Sequence, residues 1–68
     1  MSDLNKKIAT IIKEDLKSKK INQLEFSKMI GIKAPVASRM LNGKRPFSVL
    51  EVMKIAKILD IREKLYTA

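Results

Sequence analysis

The stretch Asn22-Gln23-Leu24-Glu25-Phe26-Ser27-Lys28-Met29-Ile30-Gly31, followed by Ile32-Lys33 and then Ala34-Pro35-Val36-Ala37-Ser38-Arg39-Met40-Leu41-Asn42-Gly43, decides how the chain folds. Asn22 carries the acceptor an N-cap needs, and Glu25 three residues later completes a capping box. Ile21 before the cap and Phe26 at the fourth helical position are placed as a hydrophobic staple. The helix so opened, Gln23–Ile30, stops at Gly31, the residue best suited to a left-handed C′ position. Two turns of helix are marginal in isolation, so this one must pack on something. Ala34–Leu41 reads as a second short helix. Pro35 sits in its first turn, where no intrahelical donor is required, and Asn42-Gly43 closes it. Phe26, Ile30, Ile32, Ala37 and Met40 fall on inward positions, and the small Ala37 permits close helix approach. Ala34, Pro35, Ser38 and Arg39 share the outward face.

Working outward, Leu4, Ile8, Ile11, Ile12 and Leu16 recur at three and four residues and predict an amphipathic N-terminal helix that ends in Ser18-Lys19-Lys20. On the other side, Ser48 with Glu51 forms a second capping box, and Phe47 with Val52 a second staple pair. The helix Val49–Leu59 then presents Val49, Val52, Ile55, Ala56 and Leu59 on one face. Asp60 with Glu63 repeats the cap pattern before a short last helix, Arg62–Tyr66. Glu14, Asp15 and Glu63 read as helix-surface and capping charges. No run alternates with period two over a useful length. The expectation is one all-α domain over residues 1–68, a compact five-helix unit with short connections.

Composition narrows the function. The 68 residues are 46% hydrophobic, which is globular usage, and the 2 Gly and 2 Pro exclude collagen-like and low-complexity classes. Cys and His are both zero, so disulfide frameworks, Cys-based zinc sites and Ser/Cys–His nucleophile pairs are excluded. No catalytic constellation, metal site or cofactor is expected, and the chain is read as a non-enzyme. No run approaches the roughly 18 apolar residues of a membrane span, and no leader pattern is visible, so the expected location is the cytoplasm, with the nucleoid. The net charge of +8 is unevenly spread. Residues 1–15 are neutral and residues 47–68 nearly so. Residues 16–46 hold Lys17, Lys19, Lys20, Lys28, Lys33, Arg39, Lys44 and Arg45 against the single acid Glu25. A focused patch of this kind attracts an anionic partner. A membrane surface would want one long basic amphipathic helix, and here the basic region is broken at Gly31 and Asn42-Gly43.

Two short helices joined at a Gly form a helix-turn-helix unit, spanning residues 22–42, whose second helix stands free to enter a major groove. The runs 21–32 and 36–46, with Gln23, Gly31, Ser38-Arg39 and Asn42-Gly43-Lys44 jointly spaced, resemble the XRE-type helix-turn-helix of lambdoid Cro and repressor DNA-binding domains. The resemblance extends over roughly residues 8–66. It implies a lambda-repressor-like fold with the motif at helices 2 and 3, and double-stranded DNA as the partner. It further implies phosphate contacts by Gln23, Asn42, Gly43, Lys44, Arg45 and Lys20, and base contacts by Lys33, Ala34, Pro35, Ser38 and Arg39. Lys33 departs from the family's usual neutral cap, which leaves amides that a phosphate can satisfy. Ala34 and Pro35 cannot donate from side chains, so Arg39 is the strongest expected base reader. Ser27 stands where Ala is common and is tolerable if its hydroxyl bonds back to the helix.

Leu41, Leu50, Met53 and Ile58 look surplus to the core stripe, and apolar surface of this kind suggests a partner. The resulting expectation is a homodimer on DNA that uses Leu50, Met53, Ile58, Leu65 and Tyr66, with two recognition helices about 34 Å apart on a near-palindromic operator. The reading is therefore a sequence-specific transcription regulator, a Cro-like repressor of phage or bacterial type. The alternative is an antitoxin or adaptor-type module that binds a regulatory protein partner and has weak DNA binding.

Overall fold

Five α-helices follow one another along residues 3–66, the part of the chain that the computed structural model describes. They are α1 (Asp3–Ser18), α2 (Gln23–Ile30), α3 (Ala34–Leu41), α4 (Val49–Leu59) and α5 (Arg62–Tyr66). α3 packs on α2 and α1, α4 packs on α2 and α5, and α5 closes against α1. The all-α, five-helix expectation is met. The four largest fully buried side chains, Ile12, Phe26, Met40 and Ile55, come from four different helices. Each contributes about 1.5–3 kcal/mol by burial, so the short helices are stabilised by one shared core.

The local signals act as the sequence predicts. Asn22 Oδ1 accepts from the Glu25 amide at 2.8 Å while Glu25 Oε1 accepts from the Asn22 amide at 3.1 Å. Ser48 and Glu51 form the same reciprocal pair. Gly31 closes α2 at φ +73°, and a β-carbon there would meet nothing nearer than the Lys54 ammonium at 3.6 Å. Its requirement is therefore the backbone angle and not space. The Ser27 hydroxyl donates to the Leu24 carbonyl at 2.7 Å, which satisfies a buried polar group.

Several assignments are corrected. Leu4 and Val49, placed on core faces by periodicity, are exposed. Each lies at a helix start, beyond the reach of the packing partners. Leu41 and Leu65, read as surplus or interfacial, are 2% and 5% exposed and belong to the core. Asp60 does not cap α5. It ends α4 in the left-handed region at φ +56°, its amide donating to the Ala56 carbonyl, and Ile61 precedes α5 instead. Lys20 holds the corresponding left-handed position after α1, at φ +58°, where Ile21 N donates to Leu16 O.

Asp15 is the largest correction. It is buried, and Lys19 donates to its carboxylate. The same ammonium donates to the carbonyl of Leu59, the last residue of α4. One cation thus neutralises a buried acid on α1 and caps the C-terminus of α4. Lys19→Ala removes both partners and should lower unfolding stability by about 1–3 kcal/mol. Urea denaturation measures the loss, and Lys17→Ala on the exposed side of α1 should change stability by less than about 0.5 kcal/mol.

Candidate nucleic-acid interface

α3 is anchored on one side only. Ala37, Met40 and Leu41 are buried, while Lys33, Pro35 and Arg39 are exposed and Ala34 and Ser38 are half-buried. The outward face read from the sequence is therefore the face left open. Arg39 lies in the last turn of the helix and carries no acidic partner among the described residues. At the other end Lys33 occupies the N-cap in an extended conformation and makes no side-chain cap bond. Pro35 fixes the first turn. Ordinary α3 geometry gives the helix a length of about 12 Å, comparable to the width of a major groove.

The turn after α3 is built from backbone. The Asn42 amide donates to Ser38 O, the Gly43 amide to Met40 O, and the Lys44 amide to Arg39 O at 2.9 Å. Gly43 adopts φ +72°, which gives the sharp exit. The Asn42 side-chain amide donates to the Ser38 hydroxyl oxygen at 3.4 Å, a weak link between the loop and the outward face of α3. Lys44 is exposed.

Arg45 is not a free cation. Its Nη1 donates to both carboxylate oxygens of Glu51 at 3.1 Å, and its Nη2 makes no hydrogen bond among the described residues. Glu51 thus serves two elements, as N3 of α4 and as the anchor of the basic loop. Burial alone would raise its pKa. The Ser48 backbone bond, the Arg45 hydrogen bond, the Ser48 side chain and the Arg45 charge outweigh burial and hold the carboxyl below its ordinary value.

Gln23 is exposed at the first position of α2. It borders a groove shared with Asn22, Lys13, Lys17 and Leu41. A second groove, lined by Lys6, Lys13, Asn42 and Gly43, continues from it. Lys6 and Lys13 escaped the charge partition because residues 1–15 are neutral in total. The four- and three-residue spacing of Lys6, Thr10, Lys13 and Lys17 is the signal that finds them. Lys20, placed among the phosphate contacts, is exposed on the α1–α2 turn.

The apolar patch on α4 is real but differently composed. Val49, Leu50 and Met53 are 76%, 78% and 52% exposed and adjoin on the first turns of α4. Ile58 and Tyr66 are exposed farther along the chain, and Leu65 is interior. No helix among the described residues is long and apolar enough to cross a membrane, and none of the described acids cluster in a metal-holding group of three.

A family model described as helix-turn-helix matches residues 12–65, most of the chain. No curated protein and no solved structure matches it.

Glu51 supplies a prediction from this geometry. A carboxyl whose folded pKa is depressed stabilises above its unfolded pKa, and that contribution fades as pH falls through the folded value. Glu51→Gln should cost about 0.5–2 kcal/mol near neutral pH through the weakened cap and the lost Arg45 pair. The variant's deficit should shrink between about pH 5 and 3, where wild-type Glu51 also loses its charge. Unfolding measured across that range tests the sign, and a deficit that grows on acidification would refute it.

Proposed function

The chain belongs to the XRE-type helix-turn-helix family of DNA-binding transcription regulators, and from that premise we propose that it is a Cro-like repressor that reads a near-palindromic operator as a homodimer. The observation that carries this reading is the open outward face of α3, with Arg39 exposed and unpaired by acid among the described residues and with Ala37 and Met40 anchored beneath it. In this reading α3 enters the major groove. Arg39 donates two hydrogen bonds to guanine O6 and N7, and Ser38 adds a contact beside it. Ala34 and Pro35 offer apolar surface for a thymine methyl. Lys33 sits where a phosphate satisfies the uncapped amides of α3.

Gln23 at one end and Asn42, Gly43, Lys44 and Arg45 at the other grip the backbone, Arg45 through the guanidinium edge that Glu51 leaves open. Lys20 adds charge from the α1–α2 turn. These contacts displace counterions and supply most of the affinity.

Size supports the dimer reading as well as surface. The backbone extends 25 × 23 × 20 Å. Successive major-groove faces lie about 34 Å apart, so one protomer serves one half-site. Val49, Leu50 and Met53, with Ile58 and Tyr66, offer apolar surface to a second copy. The same patch would serve an antitoxin-like or adaptor-like module that holds a regulatory protein. Sedimentation on and off DNA separates the two, because the repressor reading requires two chains per operator.

Arg39→Ala should cost about 1–3 kcal/mol per half-site and relax preference at one base pair, whereas Lys44→Ala should weaken all sequences alike and shallow the salt dependence by about one. Selection of bound duplexes followed by titration against scrambled competitor checks both. Equal loss on every sequence for both variants would reduce the activity to backbone binding.

A further inference from the structure

The two grooves beside α1 share Thr10, Lys13 and Leu41 and form one continuous trough. It begins where the stem of Lys6 lies against the α3–α4 loop, its Cγ 3.7 Å from the position a Gly43 β-carbon would take. It ends between Lys17 and Gln23. Lys6, Thr10, Lys13 and Lys17 are spaced four, three and four residues apart and so fall on one stripe of α1. All four are exposed, and the three ammoniums make no ion pair among the described residues. Glu14 is the one acid bordering the trough among the described residues. Lys7 and Lys64 lie off this stripe, Lys64 bordering a separate groove with Ile11 and Asp15. The trough therefore joins, through a line of unpaired cations, the two ends at which the duplex-binding reading places phosphate contacts.

We propose that this α1 stripe is an additional backbone-binding site, in which Lys6, Lys13 and Lys17 track the phosphates of the strand passing between Gln23 and the Asn42-Gly43 turn, while the Thr10 hydroxyl donates to the Lys6 carbonyl at 2.9 Å and takes no part. The occupant is a phosphodiester chain and not a protein segment, because the rim carries three lysines against one acid among the described residues, and the leucines beneath it, Leu16 and Leu41, are already buried in the core. The inference rests on the duplex-binding reading above and extends it to a helix outside the helix-turn-helix. It adds affinity without sequence preference, since none of these side chains borders the outward face of α3.

The test compares K6A/K13A/K17A with the charge-matched K7A/K57A/K64A, both on the full chain, by anisotropy titration of a selected duplex across salt concentrations. All six lysines are exposed, and thermal melting confirms that both variants fold. The stripe variant should shallow the slope of log affinity against log salt by about 2–3, at about 0.9 per released phosphate contact, and keep the wild-type base preference. The charge-matched control should retain the wild-type slope to within about one. An unchanged slope in the stripe variant overturns the site, as does an equal loss in the control, which would mean a diffuse field. With either result, retained operator preference leaves the reading of α3 standing. Failure of the wild-type chain to bind any duplex overturns both.

Discussion

The burial of Ala37 and Met40 beneath α3 is the constraint on which the rest depends. α3 has eight residues and no side-chain cap at its start, and Pro35 sets only its first turn, so local signals are too weak to hold it helical. Its position comes from the cluster that contains Phe26, Ile30, Ile12 and Ile55. The methyl of Ala37 sets how near α3 lies to that cluster, and a larger side chain there would push the helix outward against a close-packed interior. Because the inward edge is fixed in this way, the direction of Arg39 is fixed as well. The exposed face is a consequence of the core and needs no ordering of its own.

The electrostatics follow a division of labour among the acids. Glu25 and Glu51 close capping boxes, and Glu51 also holds Arg45. Asp15 is buried under Lys19. Glu25, Glu51 and Asp15 are thus committed to helix ends and to the Lys19 link between α1 and α4, which leaves Glu14 as the acid that borders the α1 lysines among the described residues. Much of the positive charge stands unpaired on the surface as a result. Folding and field are linked here, since the residues that stabilise the helices also leave the anion-attracting surface uncompensated.

Most of the helix boundaries could be read from the sequence because they rest on short-range chemistry. Asn22 with Glu25, Ser48 with Glu51, and Gly31 need only their neighbours to declare a start or a stop. What could not be read depends on which elements meet. Leu4 and Leu16 have the same periodicity, yet only Leu16 is covered by another helix. Leu41 looked spare on a two-turn helix because the opposing wall, α1, ends at Ser18, far away in sequence. Asp15 looked like any surface acid, since its surroundings depend on α5 closing against α1 and on Lys19 being held by the end of α4. Asp60 satisfied the letter of an N-cap pattern, but the exit from α4 claimed its backbone first. The outward face of α3 was legible, whereas the trough beside α1 needed the fold to bring Lys6 against Gly43.

The chemistry of α3 also bears on how discrimination would arise in the proposed reading. Ala34 and Pro35 bring no donors to the groove, and Ser38 already accepts weakly from Asn42. Arg39 is then the main source of side-chain hydrogen bonds to bases, worth about 1–3 kcal/mol against a wrong pair. That is small beside the sequence-blind attraction of so basic a surface. Penalties at well-separated positions add roughly. A second copy therefore doubles the discriminating energy, squaring the ratio between operator and other sites, while bringing its own backbone grip. Doubling adds only what one half-site already supplies, so in this reading a chain with one strong base reader reaches useful discrimination as a pair, and the exposed Val49, Leu50 and Met53 offer the surface for it.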